Sequence, residues 1–118
     1  MATPSADPTE RFFAELGTRN HEPLLRKATG SVRFDIVDGK RTRRWVVVVD
    51  GGDIAVSQGR SEATCVVRAD KSVFDRIASG RLNAVAAVLR GDLAVGGDWR
   101  LLVRIQRLFP GPRRRARR

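Results

Sequence analysis

The spacing of apolar residues divides the chain into a helical start, a run of strands and a helical second half. Near the N-terminus, Phe12, Phe13 and Leu16 share one side of a predicted helix. Asp7 is a good N-cap for that helix, and Pro8 suits its first turn because a missing N–H costs nothing there. The pattern therefore predicts that the ordered chain begins with a helix.

From Gly30 the period of the pattern changes from helical to two. Val32, Phe34 and Ile36 alternate with polar residues, as in a strand buried on one face. Residues 44–50 then hold Trp45 and four successive valines, which predicts a strand inside the sheet with both faces covered. A glycine pair at 51–52 predicts a hairpin turn, and residues 54–57 and 63–69 predict a third and a fourth strand.

The second half predicts three helices that differ in their apolar faces. Residues 71–79, capped by Asp70, form a one-sided surface helix, whereas residues 82–90 are apolar nearly all round and predict a buried one. A brief strand at 93–95 and a cap at Asp98 lead into a last helix over residues 99–109. Its apolar arc spans about 220°, so a neighbouring helix, a second subunit or an apolar ligand must cover what one sheet cannot.

Composition narrows the class of protein further. The length of 118 residues fits one globular domain, and one cysteine with one histidine excludes a disulfide scaffold and a His/Cys metal site. We expect no metal and no cofactor. His21 and Cys65 lack a marked oxyanion site, so we expect no catalysis. No targeting or membrane-spanning segment is recognisable, which favours a cytoplasmic protein.

The positive charge lies mostly at the C-terminus. The chain carries a net charge of +10, but without residues 113–118 only 18 basic and 13 acidic residues remain, a net charge of +5. We predict a flexible lead over residues 1–8, one domain over 9–110 and a disordered Pro/Arg tail over 111–118.

The order of these elements resembles that of the sterol carrier protein 2 family. The stretch from Gly80 to Leu102, with its small apolar helix, Gly91, a short strand and Gly96-Gly97-Asp98, is similar to the C-terminal signature of that family. The resemblance implies an α+β fold with a five-stranded, mainly antiparallel sheet covered on one face by helices. It also implies a hydrophobic tunnel that binds a sterol, a fatty acid or a fatty acyl-CoA without catalysis.

Two walls of such a tunnel would be the buried helix and the last helix. The apolar residues that are candidates for its lining are Phe34, Trp45, Val47, Phe74, Ile77, Val85, Val88, Leu89, Leu102, Ile105 and Phe109. Burial of apolar ligand surface would supply the affinity, at roughly 25 cal/mol per Å² before ordering costs.

A competing hypothesis is a basic interaction module with a solid core. It would bind nucleic acid or a protein partner through the arginine tail and the arginine face of the last helix. The same charges would suit an anionic membrane surface, and the scarcity of aromatic platforms argues against a dedicated nucleic-acid reader. The candidate contacts are Arg100, Arg104, Arg107, Arg113, Arg114, Arg115, Arg117 and Arg118. A monomer and a homodimer are both compatible with the pattern.

Overall fold

A computed structural model describes residues 7–109. The helices are α1 (Pro8–Arg19), α2 (Lys71–Ala78), α3 (Ala84–Leu89) and α4 (Trp99–Ile105). The strands are β1 (Thr29–Asp38), β2 (Arg41–Asp50), β3 (Asp53–Gln58), β4 (Cys65–Asp70) and β5 (Ala94–Gly97), and single 3₁₀ turns occupy Pro23–Leu25 and Gln106–Leu108. Most of the predicted N-terminal lead and the whole Pro/Arg tail lie outside the described residues.

The five strands form one sheet in the order β3-β2-β1-β4-β5. All neighbouring pairs are antiparallel except β1 and β4, which run parallel with Phe34 opposite Val67. Tight turns join β1 to β2 and β2 to β3, and the second of them lies at the glycine pair 51–52, as predicted. The predicted α+β fold with a mainly antiparallel sheet is therefore confirmed.

The helices pack on the face of the sheet that carries Val32, Phe34 and Ile36, all at most 2% exposed. On the opposite face, Asp35 is buried beneath Arg33, whose Nε donates to Asp35 Oδ1 at 2.8 Å. Val48 also lies on that face and is 43% exposed. The prediction that both faces of β2 are covered is thus wrong at Val48, because valine favours strands whether or not it is buried.

The two apolar helices are shorter than predicted. Residues 82–90 form α-helix only over α3, where Ala84 and Ala87 are buried and Leu89 is exposed, so burial all round is wrong. The predicted helix over 99–109 ends at Ile105 and continues as the 3₁₀ turn. Within residues 7–109, no helix is long and apolar enough to cross a membrane.

The chain enters α4 through a turn that requires glycine. Gly97 has φ of +83°, and a Cβ there would lie 2.3 Å from the carbonyl oxygen of Thr64. The Asp98 N–H donates to the same carbonyl at 2.8 Å, and the Asp98 side chain accepts from the Arg100 N–H. This close approach of β5 to the start of β4 fixes where α4 crosses the sheet.

Candidate functional site

An aromatic cluster fills the space between the sheet and the helices. It contains all five phenylalanines and Trp45. Phe13 stacks on Trp45 with ring centroids 4.7 Å apart, and it also stacks on Phe74 at 5.6 Å. Phe109 closes the cluster by stacking on Phe12 at 4.7 Å. The side chains of this structure thus occupy the interior between sheet and helices.

Most of the predicted lining residues meet in this interior. Eight of them belong to one buried core, each at most 9% exposed: Phe34, Trp45, Val47, Phe74, Ile77, Leu102, Ile105 and Phe109. Val88 packs against that core and Val85 is half-buried. Leu89 is 83% exposed, and the structure does not bring it to the interior.

A half-open cleft of about 490 Å³ leads from the surface to the aromatic cluster, and its volume lies within the roughly 300–1,000 Å³ of small-ligand pockets. It lies between α1, the end of α2 and the 3₁₀ turn at 106–108. Its apolar part is formed by Phe12, Leu16, Leu108 and Phe109. We call this concavity the α1 cleft.

Charged side chains surround the α1 cleft. Arg11, Glu15, Arg19 and Arg107 all line it. Arg19 donates to Glu22 at 3.0 Å, whereas Arg107 forms no ion pair within residues 7–109. Glu22 balances the charge of Arg19, so the positive charge at this opening comes chiefly from Arg107. A cation beside an apolar floor favours an amphiphile with an anionic headgroup.

Hydrogen bonds between neighbouring elements hold the α1 cleft in place. The Thr9 hydroxyl of α1 donates to Asp75 of α2 at 2.6 Å, and Lys71 Nζ donates to the same carboxylate at 2.8 Å. The Val85 N–H of α3 donates to the Gln106 side chain at 3.1 Å, which ties the 3₁₀ turn to α3. The cleft is therefore framed by hydrogen bonds on two sides.

The structure separates the two side chains considered for nucleophilic chemistry. Cys65 begins β4 and is fully buried, whereas exposed His21 lies beside β3, its Nδ1 2.7 Å from Asp53 Oδ1. Three strand spacings, at least roughly 14 Å, separate these positions. Within the described residues, no three His, Cys, Asp or Glu side chains group as a metal site.

The arginines singled out on the last helix are exposed in the structure. Arg100 and Arg104 lie on the outer side of α4, and Arg107 lies in the 3₁₀ turn. The predicted contacts from Arg113 to Arg118 fall outside the described residues.

Sequence reasoning missed the α1 cleft as a candidate site. The sequence pattern identified Phe12 and Leu16 only as the apolar face of the first helix. It identified Leu108 only as part of the apolar face of the last helix. The spacing of four residues between Phe12 and Leu16 indicated that this side of α1 is buried. It carried no information on which distant segment packs against it. The arginines at 11 and 19 flank that apolar face and were the available signal.

Comparison with known proteins gives a family and a fold. The sequence profile of the SCP-2 sterol transfer family matches residues 10–110. The peroxisomal multifunctional enzyme A of Dictyostelium discoideum is 26% identical over 98 residues, which are 81% of this chain. The chain spans 22% of the length of that curated relative.

Solved structures have the same fold. The solution NMR structure of palmitated SCP2L2 from Aedes aegypti matches with a TM-score of 0.71 and 19% identity, covering 95% of this chain and 100% of the other. Sterol carrier protein 2 from Yarrowia lipolytica, in its apo form, matches with a TM-score of 0.65 and 19% identity, covering 89% and 100%.

Proposed function

Because this chain belongs to the SCP-2 sterol transfer family, we propose that it binds and transfers a lipid with a long apolar chain and an anionic headgroup. The observation that carries the proposal is the α1 cleft, where an apolar floor continuous with the aromatic cluster meets an arginine-rich opening. The palmitated relative from Aedes aegypti supports a fatty acyl chain as the apolar part. A fatty acid or a fatty acyl-CoA fits this opening better than a neutral sterol.

The lipid enters by displacing packed rings. Phe109 closes the cluster above Phe12 and follows a 3₁₀ turn, whose hydrogen bonds are weaker than those of an α-helix. Movement of this ring opens a path from the α1 cleft toward Phe74 and Phe34, which it contacts with ring centroids 5.9 and 6.4 Å away. The proposed lining comprises Phe34, Trp45, Val47, Phe74, Ile77, Leu102 and Ile105, and Leu89 is left out of it.

The energetic balance favours this exchange for a long chain. Exposing one phenylalanine ring costs about 1.5–3 kcal/mol, while each buried methylene contributes about 0.8 kcal/mol. Ten buried methylenes thus contribute roughly 8 kcal/mol before ordering costs, which exceeds the loss from one ring. Short acyl chains do not reach that balance, so we expect affinity to rise with chain length.

The positions of His21 and Cys65 support binding without catalysis. The separation of His21 from buried Cys65 leaves the thiol without a histidine that could deprotonate it. Burial raises the pKa of the Cys65 thiol to about 11, so the thiolate is scarce near neutral pH.

Titration with palmitate, followed by heteronuclear NMR and native mass spectrometry, tests the proposal. We expect one palmitate per chain, with the largest shift changes at Phe12, Leu16 and Phe109. Phe109→Ala should lower the free energy of unfolding of the apo protein by about 3 kcal/mol and increase the stabilisation that palmitate provides.

Val49→Ala is the matched control, because Val49 is 1% exposed and lies outside the α1 cleft. It should lose stability without gaining a larger response to palmitate. Absence of saturable palmitate binding in the native protein would overturn the proposal, as would equal palmitate responses in the two variants.

A further inference from the structure

Three large apolar side chains lie exposed together on the outer side of α4. Trp99 is 62% exposed, Leu24 56% and Val103 41%, and all three line one concavity of about 480 Å³. Trp99 is the one aromatic residue of the chain outside the aromatic cluster. We call these three residues with their neighbouring cations the α4 surface.

Exposure of these residues follows from the phase of the helix. Leu101, Leu102 and Ile105 point into the core and are at most 5% exposed. The apolar arc of α4 is wider than the sheet can cover, so Trp99 and Val103 face outward. Grouped exposed apolar side chains with a charged border are typical of an interaction site rather than of ordinary surface.

Cations border this apolar group. Arg100, Arg104 and Arg107 line the same concavity, and Lys27 lines an adjoining one with Arg100 and Arg104. Asp98 is the acidic residue in these two concavities, and it pairs with Arg100 at 3.2 Å. Within residues 7–109, Arg104, Arg107 and Lys27 form no ion pair, so their charge is available to a partner.

We propose that the α4 surface docks the protein on an anionic phospholipid bilayer. Trp99, Val103 and Leu24 insert at the level of the headgroups, where tryptophan is favoured because its ring is apolar and its N–H polar. Arg104, Arg107 and Lys27 contact lipid phosphates. A nucleic acid would use the same cations, but it would leave the apolar residues at 24 and 103 without a partner.

Docking of this kind brings the edge of the α1 cleft at Arg107 to the bilayer surface. Arg107 lines both the α1 cleft and the α4 surface, so the two are contiguous. This orientation rests on the proposed function, whereas the docking itself does not require a lipid in the core.

Partitioning of the full chain between buffer and vesicles tests the docking. Vesicles of phosphatidylcholine alone are compared with vesicles that also contain phosphatidylglycerol. We expect strong binding only to the anionic vesicles, with a blue shift and reduced iodide quenching of tryptophan emission. Trp99→Phe should remove that spectral response, since the remaining Trp45 is buried.

Substitutions separate the apolar and the cationic contributions. The double variant Trp99→Ser/Val103→Ser should bind anionic vesicles about tenfold more weakly or worse, and Arg104→Gln about fivefold more weakly. Leu89→Ser is the apolar control, because Leu89 is 83% exposed outside the α4 surface, and Arg68→Gln is the charge control on an exposed arginine of β4. Both controls should bind as the unmodified protein does.

Several outcomes overturn the docking. Unchanged vesicle binding in the double variant does so, as does equal binding to neutral vesicles. Light scattering tests whether the protein is a dimer that Trp99→Ser/Val103→Ser converts to a monomer. That result would assign the α4 surface to contact with a second copy of this chain. Palmitate binding is measured in the double variant as well. If it is retained, a loss of vesicle binding cannot be attributed to damage at the α1 cleft.

Discussion

Cys65 occupies a position where its thiol does not readily ionise. It begins β4, opposite Val32 of β1 and Gly97 of β5, and no part of it reaches solvent. Burial, and secondarily the negative charge of Asp98, raises the pKa of this thiol to about 11. The residue therefore serves as a small core side chain, in line with its place in the strand pattern.

This pKa shift makes stability depend on alkaline pH. The unfolded thiol ionises near pH 9.0 and the folded one near 11, so the folded state retains a proton that the unfolded state loses. The contribution of the Cys65 thiol to the free energy of unfolding is fully present below pH 9 and decreases as the pH rises toward 11. We expect the unfolding free energy of the wild type, relative to Cys65→Ala, to decrease by about 1–2 kcal/mol across that window.

Urea unfolding of both proteins at several pH values between 8 and 11 measures this difference. Because both chains share every other titrating group, their comparison isolates the thiol. A constant difference across the window would mean that the thiol titrates normally in the folded protein.

At the scale of elements, the strands were predictable and the apolar helices were not. Alternation at Val32, Phe34 and Ile36 marks a strand because one face of the sheet is buried and the other carries Arg33 and Asp35. Neither the parallel pairing of β1 with β4 nor the α1 cleft has a local signal, since both depend on which distant segments meet.

The α3 segment illustrates why the candidate site was only partly predictable. Its residues are all alanine, valine or leucine, so no polar position indicates which side faces the core. Small residues at 84 and 87 allow close packing there, while Leu89 turns outward. The predicted lining residues Phe34, Phe74 and Phe109 lie in the core, because burial of a large ring is favourable in any arrangement.

The turn before α4 provides a test with a matched control in the adjacent residue. Gly97→Ala should destabilise the protein by about 2 kcal/mol or more, because φ of +83° strains an alanine and its Cβ would overlap the Thr64 carbonyl. Gly96→Ala should cost less than about 1 kcal/mol, since a Cβ there meets nothing within 4 Å. Thermal unfolding ranks the two variants, and equal losses would show that the close approach of β5 to Thr64 does not position α4.

At the scale of the whole molecule, charge and apolar surface converge on the C-terminal side of the fold. The α1 cleft and the α4 surface share Arg107, and the chain continues from Phe109 into residues that carry five further arginines. Half of the net charge of +10 lies in residues 113–118. Cations within residues 7–109 and cations further along the sequence thus favour the same anionic partner.

Deletion of residues 113–118 separates long-range attraction from specific docking. The truncated chain carries a net charge of +5 instead of +10. Each arginine near an anionic bilayer contributes about 1 kcal/mol, so binding to phosphatidylglycerol vesicles should fall by at least tenfold and depend less steeply on salt.

The residual binding of the truncated chain should still show the blue shift of Trp99 and still require Val103, because apolar insertion is less sensitive to screening than attraction between charges. Palmitate affinity should not change, since the deletion leaves intact every residue within 7–109 that lines the α1 cleft. Vesicle sedimentation at 50 and 300 mM salt, with and without the deletion, measures both contributions. If truncation abolishes the Trp99 response at low salt as well, the tail alone carries the membrane contact and the α4 surface has another use.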